Sequence, residues 1–87
     1  MHLTANAETI DRLVDQGALL LKAFHAKHKD DPTGSQAEFL RGEFTGWRST
    51  IHTEYHGCAE EIVDRVLTET GLPIPAGEIR TSIAFFA

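Results

Sequence analysis

Cysteine, basic residues, proline and long apolar runs are all scarce in this chain, and each scarcity excludes something. One cysteine, Cys58, among 87 residues leaves no intrachain disulfide, so a reducing compartment is the simplest setting. Lys and Arg total 8 against 13 Asp and Glu, a formal net charge of −5. That argues against non-specific nucleic-acid binding, which requires a basic footprint to neutralise phosphates. The acidity is also too thin for a mimic of DNA, and fits solubility or a basic protein partner. The apolar cluster Gly17 to Leu21 falls far short of the roughly 20 residues that span a bilayer. The opening Met-His-Leu-Thr-Ala-Asn-Ala-Glu has neither a basic segment nor an apolar core behind it. A cytoplasmic protein without a membrane partner is expected.

What remains is the composition of a globular protein, 41% hydrophobic and 24% charged. Eighty-seven residues make one domain whose core is marginal unless the chain oligomerises or packs very efficiently. Apolar periodicity predicts helix 1 over about 7–29, capped by Asn6 or Thr4, with Ile10, Leu13, Val14, Gly17, Ala18, Leu21, Phe24 and His28 on its stripe. Leu19 and Leu20 fall off that stripe, so the middle of helix 1 is apolar nearly all round and wants contacts on more than one side. Asp30-Asp31-Pro32-Thr33-Gly34 reads as a turn. Ser35 with Glu38 fits a capping box and opens helix 2 over about 36–56. Gly57 then poses a choice. Either it ends helix 2 and a third helix follows over about 58–70, or one helix continues through it at a cost of about 1 kcal/mol relative to Ala.

Gly71-Leu72-Pro73-Ile74-Pro75-Ala76-Gly77 stops the last helix and opens a Pro-bounded tail, 71–87. Over Glu78 to Ala87 the tail reads either as a strand, which would need a second chain, or as a short helix over the others. The fold class is all-α: a long antiparallel helical hairpin with a third helix or helical extension, expected to form a dimeric bundle.

The stretch from Leu40 to Ile62 carries two opposed stripes. Leu40, Phe44, Trp47, Ile51, Tyr55, Cys58 and Ile62 are the large one; Gly42, Gly46, Ser49, Thr53 and Gly57 are the small one. Three glycines in one helix cost about 3 kcal/mol, a large sum for a protein stable by roughly 5–10 kcal/mol. Close approach of another chain would offset it. The small stripe, together with Leu19 and Leu20, is therefore the expected interface with a second copy or a protein target. Arg41 and Arg48, on the edge between the stripes with His52, would orient that partner or simply bridge to Glu38 and neighbouring acids.

Five histidines raise a metal reading, with zinc or another transition metal as cofactor. His25 and His28 are three apart, and His52 and His56 four apart, both spacings that bring two imidazoles to one helical face. In an antiparallel pair of helices the two sets lie roughly 20 Å apart, so only a second chain would join them to one ion. His52-Thr53-Glu54-Tyr55-His56 is not the zincin motif, because Glu54 stands two residues after the first histidine and points away. Cys58 with His56 or His52 lacks an orienting third group. No catalytic residue is therefore assigned and an enzyme is not expected, although a small enzyme subunit stands as a rival. The leading expectation is a non-enzymatic regulatory protein, a homodimer that binds and blocks another protein such as a transcription factor or an enzyme.

Overall fold

The computed structural model describes residues 6–75, and these are helical with no strand: α1 (Ala7–Asp30), α2 (Ser35–Glu54) and α3 (Ala59–Thr70). None of these helices is long and apolar enough to cross a membrane. The ambiguous tail beyond Pro75 lies outside the described residues.

Each helix end has a local cause. Asn6 caps α1, its side-chain oxygen accepting from Thr9 N at 2.8 Å, and so satisfies one of the orphan donors of the first turn. At α2 the expected capping box is replaced by a different start. Gly34 occupies the N-cap without a side-chain hydrogen bond, and Ser35 is already helical. Glu38 turns to Arg41 rather than back to the cap. The cause is the preceding turn: Gly34 N donates to Asp31 O at 3.0 Å, which carries the chain into the helix one residue early. Helix α3 ends on Gly71 at φ 67°, the left-handed position that glycine fills without steric cost. Its N–H donates to Leu67 O at 2.8 Å.

The question at Gly57 resolves as a break. Helix α2 stops at Glu54, two residues before the expected end at 56. Tyr55 leaves helical geometry at ψ 38°, and residues 56–58 form a turn before α3 begins at Ala59 rather than 58. The unbroken apolar phase from Leu40 to Ile62 is therefore carried by two helices. Gly57 sits in the turn and does not belong to the small-residue face of α2. The glycine penalty within α2 falls to about 2 kcal/mol.

Helix α1 is the common partner of the other two. The core joins Val14 and Leu21 of α1, Phe44, Trp47 and Ile51 of α2, and Ala59, Ile62, Val63 and Val66 of α3. Full burial of each large member contributes about 1.5–3 kcal/mol. Contacts between α1 and α2 run in opposite senses. Gly17 meets Trp47 and Phe24 meets Arg41, whose guanidinium lies 5.3 Å from the Phe24 ring centre. The first contact sets the closeness of the two helices. A Cβ on Gly17 would come within 2.5 Å of the Trp47 ring carbons Cζ2 and Cη2, so the indole occupies the space a side chain would take.

Helix α3 lies on another side of α1, where Arg65 donates to Asp11 at 3.0 Å and pairs with Glu69 at 3.2 Å. These partners, Asp11 first and then Glu69, raise the Arg65 pKa above its already high value. The guanidinium therefore stays charged throughout the physiological range. After α3 the chain returns along α1. Leu72 packs against the core, and Pro75 is buried. The Pro73 carbonyl accepts from His25 Nε2 at 2.8 Å. A carbonyl can only accept, so the proton resides on Nε2. Substituting His25→Ala is expected to lower stability by about 1 kcal/mol and to speed amide exchange at Leu72 and Ile74, as read by hydrogen–deuterium exchange.

Candidate interaction face

At about 100° per residue, Leu13, Leu20 and Lys27 of α1 lie opposite Asp11 and His25, the residues that hold α3 and the returning connector. One side of the α1–α2 pair is therefore covered by α3. The other carries an open groove of about 600 Å³ lined by Lys27, Ser35, Gln36, Phe39 and Leu40. Two large hydrophobic side chains stand exposed: Leu19 at 69% and Phe39 at 66%. Phe39 and Gly46, seven residues apart, share one face of α2, whereas Leu19 points outward from α1, about 80° from Lys27 of the groove and about as far from Asp11 on the α3 side.

The expected interface residues divide between this face and the core. Leu19 is exposed, whereas Leu20 is half-buried and packs against the chain's own core. Gly42 and Gly46 are exposed, and a Cβ on either would meet nothing within 4 Å. Ser49 and Thr53 are exposed beside them, and Gly57 is exposed in the turn outside α2. Arg41 is half-buried, paired with Glu38 and stacked over Phe24, so it serves the local bridging role weighed for it. Arg48 is half-buried.

Because a Cβ on Gly42 or Gly46 would meet nothing among the described residues, each replacement by alanine is expected to stabilise the monomer by about 1 kcal/mol through helix propensity alone. Thermal melting of Gly42→Ala and Gly46→Ala at low protein concentration checks this.

The histidines are dispersed. His25 is engaged with Pro73, and the ring of His28 lies 5.2 Å from that of Phe24. His52 is exposed on α2, and His56 is exposed in the following turn. Among the described residues no three His, Cys, Asp or Glu side chains are grouped to hold a metal ion. Cys58 is half-buried at the start of α3 and packs against the core.

Phe39 is the residue that the sequence pattern passed over. It stands one place before Leu40, where the large stripe begins, and so about 100° off it. Projecting the whole of α2 onto a wheel would have placed it beside Gly46. Comparison with protein-family models, curated proteins and solved structures gives no match. Functional assignment therefore rests on this geometry.

Proposed function

We propose that this chain is a small cytoplasmic, non-enzymatic regulatory protein that acts by protein–protein interaction. It forms a homodimer, and it blocks a protein target, such as a transcription factor or an enzyme, by covering an apolar surface on it. One observation carries the reading: among the described residues Leu19 and Phe39 are large hydrophobic side chains left exposed, and Phe39 lines an open groove with Leu40 on the side of the α1–α2 pair away from α3. Large apolar side chains in water gain roughly 25 cal/mol per Å² when covered, so a partner that buries both is favoured. The acidic surface suits a target with basic residues around its apolar patch.

Capture from a host lysate on immobilised protein tests the reading when three chains are compared. The parent chain and a Glu61→Ala control on α3 should retain the same partner. A folded Leu19→Asp/Phe39→Asp variant should lose it. Equal capture by all three would refute the open face as the binding surface.

A further inference from the structure

We infer that the turn at residues 56–58 is a two-state hinge whose straight state lets two copies of this chain exchange α3. Bent, the turn folds α3 back onto α1 of its own chain. Straight, it joins α2 and α3 into one helix from Ser35 to Thr70, about 54 Å long, and carries α3 to α1 of a second copy. The inference goes beyond the proposed function and does not depend on the face that carries Phe39.

The apolar pattern suits both states. In a continuous helix at about 100° per residue, Trp47, Ile51, Tyr55, Ala59, Ile62 and Val66 fall within an arc of about 120°. The apolar face of α2 therefore runs on into that of α3 without a slip. The backbone permits the change as well. Tyr55 and Cys58 have φ of −129° and −134°, and among the described residues only Gly71 has a positive φ. Straightening moves these φ values to about −63° without passing through the left-handed region. Tyr55 N already donates to Ile51 O at 2.8 Å, and Ile62 N to Cys58 O at 3.0 Å, both in the helical sense. The departure from helix is confined to the residues between.

The docking of α3 is transferable. It packs chiefly against α1, buries Ile62, Val63 and Val66, and joins Arg65 to Asp11 at 3.0 Å. On α1 of a second copy the same contacts re-form, so exchange loses no core burial, as in domain swapping generally. Two terms oppose it: the freedom lost when two chains associate, and the poor helix propensity of Gly57. The bent monomer is therefore the form reached in dilute solution. Because α3 has to leave the core before it can exchange, the form reached on folding persists.

Cross-linking after two folding histories tests the hinge. Asp11→Cys chains and Arg65→Cys chains, both in a Cys58→Ser background, are unfolded together. They are refolded at about 1 μM or about 1 mM, the span of ordinary weak affinities, and brought to one final concentration. A short bis-maleimide should join Asp11→Cys to Arg65→Cys chains only after the concentrated refolding, since association through an exposed face depends on final concentration and not on history. Gly57→Ala should raise the dimerisation constant about 25-fold, roughly 5-fold at each of two hinges. Gly57→Pro should abolish the link, because proline breaks a helix interior. Equal linking after both histories, no gain in Gly57→Ala, or undiminished linking in Gly57→Pro would each overturn the inference.

Discussion

Gly17→Leu is expected to unfold most of the protein, with a loss of about 3–5 kcal/mol. A simple propensity argument predicts the opposite sign, because leucine favours helix over glycine by nearly 1 kcal/mol. Packing decides the matter. The Cβ alone would lie 2.5 Å from the Trp47 ring, well inside the contact distance between carbons, and the rest of the leucine has to enter the same volume. Trp47 would be driven out of the core it shares with Phe44, whose ring stacks on it with centroids 5.4 Å apart. The loss then resembles the deletion of a buried Trp or Phe, about 3–5 kcal/mol. In a domain stable by roughly 5–10 kcal/mol, that removes the usable margin. Gly17→Ala should lose less, up to about 2 kcal/mol, as overpacking of about 1–3 kcal/mol works against the propensity gain. Circular dichroism melts of both variants beside Gly46→Ala give the check. A Gly17→Leu chain that melts like the parent would show that Trp47 does not hold α1 and α2 together.

Replacing Leu19 and Phe39 by aspartate is expected to leave the fold intact and weaken association by more than about 100-fold. Both side chains are already mostly in water, so the monomer loses little core burial. At an interface each would be a central apolar anchor, and such residues carry about 2 kcal/mol or more. A buried aspartate without a partner adds a desolvation cost to that loss. Sedimentation analysis should show a purely monomeric variant where the parent dimerises, with unchanged circular dichroism. If the double variant associates as the parent does, the contact lies elsewhere on the molecule.

Much of the fold was legible because apolar spacing is strong over 7–29 and from Leu40 to Ile62. Val14, Leu21, Phe24, Phe44, Ile51 and Ile62 are buried as their periodicity demands. The start of α2 differs by one residue because the Ser35 and Glu38 spacing imitates a cap, and only the turn at Asp31 shows that the N-cap is Gly34 and the helix begins at Ser35. The break before α3 was hidden for a related reason. The turn at residues 56–58 restores the apolar phase, so Cys58 and Ile62 continue a stripe that the backbone does not. Close packing at Gly17 was invisible, because a glycine on an apolar stripe does not announce which ring fills its place.

Exposure on α2 was partly legible. Spacing separates small from large residues there, and Gly42 and Gly46 are exposed as that separation implies. Spacing could not tell that Leu20 turns to the core while Leu19 does not, since that depends on where α2 and α3 dock around α1. The histidine pairs had suitable local spacing, but His25 is held by the Pro73 carbonyl, a contact 48 residues distant that no local pattern encodes.

Hydroxyl-radical footprinting of side chains across a dilution series tests the central claim most directly, because it reads the exposure of Leu19 and Phe39 themselves. Both should be modified rapidly in dilute monomer and become protected as the chain associates with itself or its target, while Leu67 on α3 keeps one rate throughout. Phe39 and Leu19 remaining equally reactive in the associated state would contradict the assignment of the open α1–α2 face as the interaction surface.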